Sequence, residues 1–263
     1  MRLGVTLPQF RNDAETTIAV ATRAEAAGID GLFVFDHLWP LRQPERPALY
    51  SLALLGALAS ETRQVALATF MARVSLVPNA VLVHSLVTLH RMLGDRFIAG
   101  LGTGDSGNRD ENLAYGVGFP PPEDRIRDLV ACVRELKAAD VRTWVGGTSA
   151  ALRSVAAAEA DGWNGWGLPP ANFGAAAADV VATADGEVEL TWGGQVLIGR
   201  TPEEARAKLE RQGTRPGLVH GTVDVLRRHL QGLEAAGASW AVCAPLDVGT
   251  DESAVELVLE ARP

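Results

Sequence analysis

Strand-like and helix-like segments alternate along this chain from end to end, and this alternation limits the folds that it can adopt. Short runs rich in β-branched and aromatic residues are each followed by a longer stretch with apolar residues at helical spacing. The strand-like segments are 3–10, 31–35, 65–71, 96–102, 142–146, 161–167, 188–199 and 239–244, and the helix-like segments are 13–27, 50–60, 80–93, 123–139, 150–160, 171–184, 202–212 with 222–236, and 251–261. Near-continuous apolar strands separated by helices are typical of a parallel sheet that is covered on both faces. The pattern therefore predicts an α/β fold.

The length of the chain separates the two architectures that such alternation allows. An open, doubly wound sheet also alternates strands and helices. Eight strand–helix units in 263 residues, however, match the roughly 250 residues of a closed (β/α)8 barrel. No linker, charge block or low-complexity tract divides the chain. We therefore predict a single TIM barrel domain over residues 1–263, with short insertions.

The charge balance and hydropathy restrict the partners of such a barrel. Acidic residues number 32 and basic residues 24, so the formal net charge is −8. Nucleic acid and anionic membranes attract broad positive surfaces instead. The longest apolar stretch, at 49–60, is too short to span a bilayer, and the first residues enter a strand-like pattern that leaves no room for a signal peptide. We expect a cytoplasmic protein that binds neither nucleic acid nor membrane.

Metal and thiol chemistry find little support in the sequence. Cys132 and Cys243 lie far apart and form no C-x-x-C pair. The five histidines show no metal-ligand spacing, and no G-x-S-x-G nucleophile motif is present. We expect no metal site.

In barrels of this kind the active site lies at the carboxyl ends of the strands. Residues there are rich in glycine, aromatic and a few polar side chains, the mixture expected around a flat heteroaromatic ligand that carries a phosphate. Asp36 and His37 directly follow the strand-like run 31–35. A carboxylate beside an imidazole suits proton transfer. The alternative is structural, with Asp36 capping a turn and His37 packing on Trp39.

The glycine-rich segment 100–107 contains a formal G-x-G-x-x-G pattern at positions 102, 104 and 107. A dinucleotide-binding fold would need a helix to open at once, whereas the next predicted helix begins near Glu123. We interpret the segment as a strand-end loop whose backbone approaches a ligand closely, with Asp105 and Asn108 as polar contacts.

A second loop, 146–149, joins a predicted strand to a predicted helix through two glycines and two hydroxyl residues. Free N–H groups at a helix N-terminus favour an anion such as phosphate. A plain helix cap at Ser149 with no ligand is the alternative.

With these residues placed, the chain is similar to the bacterial-luciferase-like family of flavin and deazaflavin (coenzyme F420) oxidoreductases. Six segments carry the resemblance in the same order along the chain: 3–9, 24–37, 88–97, 100–104, 160–164 and 201–205. No single segment is specific, but the ordered set covers most of the chain.

The resemblance implies a barrel, usually dimeric, with the cofactor ring at the strand ends. In the deazaflavin dehydrogenases of this family, a histidine after the second strand and an acid after the fourth take part in proton transfer, and these roles fall on His37 and Asp105. A non-prolyl cis peptide bond at the end of the third strand backs the ring in that branch; we expect it at Thr69–Phe70, with an ordinary β-bulge as the alternative. The implied cofactor contacts are Asp36, Thr69, Phe70, Gly104, Gly107, Asn108, Gly146, Gly147 and Thr148.

The predicted function is hydride transfer between coenzyme F420 and a small organic substrate at the barrel mouth. Arginine outnumbers lysine 22 to 2, which suggests a GC-rich genome, where deazaflavin use is common. The alternatives are an FMN-dependent monooxygenase, supplied with FMNH2 by a separate reductase, and a barrel that binds flavin without turnover. The sugar-phosphate-oxidising branch is disfavoured, because it holds phosphate with lysines and both lysines here fall in predicted helices. A homodimer and a flavin or F420 reductase are the expected protein partners.

Overall fold

Eight parallel strands close into a barrel in a computed structural model of the chain, which describes residues 1–263. Ten strands are present in all: β1 (Arg2–Thr6), β2 (Gly31–Val34), β3 (Ala66–Thr69), β4 (Ala72–Arg73), β5 (Phe97–Gly102), β6 (Thr143–Gly146), β7 (Gly162–Trp166), β8 (Glu189–Gly199), β9 (Val219–Thr222) and β10 (Trp240–Pro245). The barrel order is β10-β1-β2-β3-β5-β6-β7-β8, and β8 pairs back onto β10 to close the ring. The predicted TIM barrel is confirmed.

Helices connect the strands around the outside of the barrel. They are α1 (Glu15–Ala26), α2 (Ser51–Glu61), α3 (Asn79–Leu93), α4 (Arg109–Ala114), α5 (Pro122–Lys137), α6 (Ala150–Glu159), α7 (Pro170–Thr183), α8 (Pro202–Gln212), α9 (Val223–Ala235) and α10 (Ala254–Glu260). Proline begins α5, α7 and α8, where its missing N–H costs no hydrogen bond. None of the helices combines the length and the hydropathy that crossing a bilayer requires.

The interior of the barrel is packed with large aromatic side chains rather than hollow. Phe33, Trp144 and Trp240 are almost completely buried there, and their ring centroids lie 5.6–5.8 Å apart. Glycine makes room for them, since a Cβ on Gly4 would come within 2.3 Å of the Phe33 ring. Because this core fills the barrel, its interior has no room for a ligand, and a ligand site has to form at the mouth.

Three short elements lie outside the sequence-based expectation. Strand β4 has only two residues. Strand β9 has four, including Gly221, and pairs with the carboxyl-terminal residues 196–199 of β8. Neither strand is long enough to show an apolar periodicity in the sequence. Helix α4 was not predicted, because the sequence pattern indicates the next helix only from near Glu123. A capping box between Asp105 and Asn108 precedes α4. These elements depend on tertiary pairing and on side-chain caps rather than on an apolar repeat.

The predicted position of the cis peptide bond is wrong by one residue. The non-prolyl cis bond joins Phe70 to Met71, not Thr69 to Phe70. The Phe70 N–H still donates to the Val34 carbonyl at 2.7 Å, so the strand pairing continues one residue further than expected before the chain departs from it.

Candidate active site

A cleft of about 610 Å³ opens at the carboxyl ends of the barrel strands, where the strand-end rule predicts a site. Residues at or near the carboxyl end of each of the eight barrel strands contribute to its wall. It is lined by Phe10, Phe35, His37, Pro40, Leu41, Gln43, Arg46, Phe70, Met71, Asp105, Gly146, Gly147, Asn164, Trp166, Gln195, Gln212, Arg215 and Leu246. Of the predicted site residues, His37, Asp105, Phe70, Gly146 and Gly147 line this cleft.

The segment that carries His37 is fixed from below by Gln9. The Gln9 side chain, three residues after β1, is fully buried, accepts a hydrogen bond from Phe35 N at 2.6 Å and donates one to Phe35 O at 2.7 Å. This double contact replaces the strand pairing that ends at Val34. The backbone of 35–38 is therefore held in place although it is not part of the sheet.

His37 is held by a buried carboxylate that the sequence interpretation missed. Its Nδ1 lies 3.2 Å from Glu111 Oε2, and Glu111 also accepts from the Leu38 N–H. The Glu111 side chain is 1% exposed and pairs with Arg73 at 3.0 Å. An ionised carboxylate only accepts, so Nδ1 carries the proton, and Nε2 has no hydrogen-bond partner within the protein. In its neutral form His37 thus offers a proton acceptor at the cleft.

The charge state of Glu111 follows from its neighbours. Burial alone would raise its pKa, but the hydrogen bond with His37, the positive charge of Arg73 and the Leu38 N–H outweigh that effect, and the pKa lies below its ordinary value. Arg73 is itself buried and donates to Asn112 Oδ1 at 3.1 Å. Glu111 is therefore an anion at neutral pH, with a role in orienting His37.

Asp36 lies behind the wall of the cleft rather than in it. Its carboxylate accepts from Ser51 Oγ and from Arg73 N, each at 2.8 Å, and the residue is 5% exposed. Burial raises its pKa. One oxygen thus joins the end of β2 to the start of α2 and the other joins it to β4, so both have a structural role. Thr69 is likewise buried, with its hydroxyl donated to Gly100 O at 2.8 Å.

Aromatic side chains form one wall of the cleft. Phe35, Phe70 and Trp166 meet with ring centroids 5.6–6.3 Å apart, and Phe10 stacks on Phe35 at 6.2 Å with an interplanar angle of 9°. Trp166 remains 38% exposed towards the opening. Such a surface favours a planar, largely apolar ligand.

The loop after β5 contributes Asp105 to the cleft as an exposed side chain. Asp105 Oδ1 accepts the Gly107 N–H at 2.8 Å, while the buried Asn108 accepts from Asp105 N at 2.8 Å. This pair caps the 3₁₀ turn Ser106–Asn108, which leads into α4 and so places Glu111. Gly104 lies behind this turn with φ +66, a conformation that favours glycine. Gly104, Gly107 and Asn108 shape the loop without lining the cleft.

The loop after β6 differs from its predicted form in one respect. The Gly147 N–H donates to Asn164 O at 3.1 Å, so this amide is not free for an anion. A Cβ on Gly147 would also come within 2.3 Å of Leu152, so packing against α6 requires glycine at this position. Thr148 is exposed and Ser149 caps α6 by accepting from Leu152 N at 3.3 Å.

Fold and site together define a (β/α)8 barrel with a histidine and an aromatic wall at the carboxyl ends of its strands. The sequence profile of the luciferase-like monooxygenase family matches residues 1–141, more than half of the chain, and the chain belongs to that family.

Curated relatives match about half of the chain. An F420-dependent glucose-6-phosphate dehydrogenase of Kineococcus radiotolerans is 34% identical over 118 residues, which cover 44% of this chain and 34% of the relative. The enzyme of the same description from Nakamurella multipartita is 31% identical over 142 residues, covering 52% and 40%. The matches thus span less than half of the relatives' own length.

Solved structures share the fold over the whole chain. An F420-dependent secondary alcohol dehydrogenase in complex with an F420–acetone adduct superposes with a TM-score of 0.80 at 14% identity, covering 100% of this chain and 99% of the other. The F420-dependent tetrahydromethanopterin reductase of Methanopyrus kandleri gives 0.79 at 15% identity, with 99% and 98% covered. At these identities the likeness is one of fold.

Proposed function

We propose that this chain is a coenzyme F420-dependent oxidoreductase that transfers a hydride between F420 and a small organic substrate at the barrel mouth. The observation that carries the proposal is His37, which a buried ionised Glu111 orients beside an aromatic-walled cleft. Relatives and structural neighbours whose descriptions name F420 support the choice of cofactor.

The cleft fits a planar cofactor on its own geometry. Phe70 and Trp166 offer the apolar face, and Gly146 lets the Met71 side chain pack beside them, since a Cβ there would come within 2.7 Å of Met71 Cγ. We assign the ring to this wall and the phosphate to the start of α6 beside Thr148, where helix N–H groups favour an anion. When bound, a deazaflavin supplies hydride transfer.

His37 handles the proton that accompanies this transfer. Nε2 takes a proton from a substrate hydroxyl in the direction of oxidation and returns one in the direction of reduction. Glu111 stabilises the imidazolium that forms, because its carboxylate lies 3.2 Å from Nδ1. Asp105, across the same cleft, is the second candidate for proton transfer.

Titration of the purified protein with F420 and, separately, with FMN tests the proposal. We expect F420 to bind with a change in its visible absorbance, and reduced or oxidised F420 to appear on addition of a suitable alcohol or carbonyl substrate. Preferential binding of FMN with oxygen consumption would instead favour a monooxygenase, the activity named for the structurally similar RslO1 of Streptomyces bottropensis. Binding without any turnover would favour a non-catalytic barrel. A separate flavin or F420 reductase remains a proposed partner of the catalytic forms, as a source of reduced cofactor.

A further inference from the structure

We infer that the substrate of this site carries an anionic group, which Arg46 and Arg215 bind at the rim of the cleft. This inference rests on the proposed function and extends it to the class of substrate. We call these two side chains the arginine rim.

The mouth of the barrel is locally positive although the chain is acidic overall. Two arginines and a histidine line the cleft, against the single carboxylate of Asp105, in a chain with a net charge of −8. An adjoining cleft of about 360 Å³ shares Arg46, and no carboxylate lines it; its second arginine, Arg11, is paired with Asp13 at 3.1 Å. A concave surface lined by one sign of charge raises the local concentration of the opposite ion.

Neither member of the arginine rim is neutralised by the protein. Arg46 Nη1 donates to Gln43 Oε1 at 2.9 Å, and Arg215 Nη2 donates to Gln212 O at 2.7 Å. These acceptors are uncharged, so they orient each guanidinium without cancelling its charge. By contrast, Arg134 is satisfied by both oxygens of Glu159, at 2.8 and 2.6 Å. The arginine rim keeps free donors for a ligand oxyanion.

The position of the arginine rim separates it from the assigned cofactor phosphate. Arg46 follows β2, and Arg215 precedes β9, which pairs with β8. Strands β8, β10, β1 and β2 are consecutive around the barrel, whereas the loop that begins at Gly146 follows β6 on the other arc. A cofactor whose phosphate lies near Thr148 leaves the arginine rim facing the substrate.

Arginine can bind a substrate anion at this site although the chain offers no lysine there. Lys208 is buried and bonded to Asp247 and Asp251, and Lys137 pairs with Asp161, so neither lysine lines the cleft. The planar guanidinium binds carboxylate and phosphate oxygens through two parallel hydrogen bonds. A carboxylate and a phosphate ester are therefore both within the inferred class.

The test uses inorganic phosphate as the probe and the F420-saturated protein as the receptor. Arg46→Gln and Arg215→Gln are compared with wild type by calorimetric titration of phosphate, and the F420 affinity of each variant is measured separately. Arg42→Gln is the matched control, since Arg42 is exposed on the same loop as Arg46 but does not line either cleft. We expect each rim variant to weaken phosphate binding about tenfold or more, with F420 affinity and the control unchanged.

Other outcomes overturn the inference in distinguishable ways. If F420 does not bind to wild type, the proposed function fails and the inference with it. If F420 binds but phosphate does not, or binds equally to wild type and both rim variants, the inference alone fails. A tenfold loss of F420 affinity in the rim variants would assign the arginines to the cofactor instead of the substrate.

Discussion

The layer behind His37, formed by the buried Glu111 and Arg73 and here called the inner wall, and the arginine rim use positive charge in opposite ways. In the inner wall, Arg73 is buried and paired with Glu111, with side chains 5% and 1% exposed. In the arginine rim, Arg46 and Arg215 face the opening of the cleft with no carboxylate partner. A buried pair fixes geometry, since removing either partner leaves an uncompensated charge, whereas an unpaired charge in a cleft is available to a ligand. We infer that the inner wall orients the catalytic group and that the rim selects the substrate.

Replacing His37 by alanine is expected to have the largest effect on turnover. A positioned general acid or base contributes about 10²–10⁴-fold in rate, so kcat should fall by this factor. F420 affinity should change little, because the aromatic wall remains. Steady-state kinetics and cofactor titration separate the two effects.

His84→Ala is the control for this experiment, because His84 is exposed on the outer helix α3. Wild-type kcat in the His37 variant would show that the residue is structural and that the proton is transferred elsewhere.

Glu111→Gln removes the charge from the inner wall while keeping the size of the side chain. The Arg73 guanidinium then lacks its only carboxylate partner within 4 Å, and its Nε and Nη2 already have no hydrogen-bond partner. We expect the free energy of unfolding to fall by about 3–5 kcal/mol in urea titrations. The exposed pair of Arg200 and Glu260 gives the control, and Glu260→Gln should cost less than about 1 kcal/mol. Equal effects in the two variants would mean that the inner wall is not a special network.

The dependence of the free energy of unfolding on acidic pH should also change in the Glu111 variant. A carboxyl whose pKa is lowered by folding adds stability above its unfolded pKa, and this increment is lost as pH falls through the folded pKa. The wild type should therefore lose this contribution below about pH 4.5, the ordinary value for Glu111, and Glu111→Gln should not. Asp36 acts with the opposite sign, because its raised pKa makes ionisation unfavourable as pH rises above 3.8. Unfolding titrations between neutral and acidic pH measure the difference, and parallel curves for the two proteins would contradict it.

Asp105→Asn should have a smaller effect than the His37 variant. Asparagine keeps the oxygen that accepts from Gly107 N and so preserves the cap of the 3₁₀ turn. If the carboxylate transfers a proton, kcat should fall by about 10²-fold, the low end for a general acid or base, with unfolding unchanged. Unaltered kcat would leave Asp105 as a turn cap only.

Replacing both cysteines by alanine is expected to have the smallest effect on turnover. Burial raises the pKa of Cys132 to about 11 and that of Cys243 to about 12, so neither is a thiolate at neutral pH. F420-linked activity should remain near the wild-type level. Loss of activity in a variant that still folds by circular dichroism would show that a thiol carries part of the redox chemistry.

The barrel and the site differ in how far the sequence alone predicts them. The eight barrel strands have local apolar patterns, and His37 follows directly from the strand-end rule. Glu111 has no such signal, because it lies 74 residues from His37 on a helix of six residues, and only the fold brings the two together. Arg46 and Arg215 lie in segments between regular elements, where residue type alone does not show which side chains face the mouth.

A crystal structure of the protein saturated with oxidised F420 tests the central claim most directly. We predict ring density in the cleft against Phe70 and Trp166, with His37 beside it and the phosphate near Thr148. The arginine rim should remain open towards the space next to the ring. Ring density outside this cleft, or a cleft without cofactor at saturating F420, would contradict the assignment of the barrel mouth as a deazaflavin site.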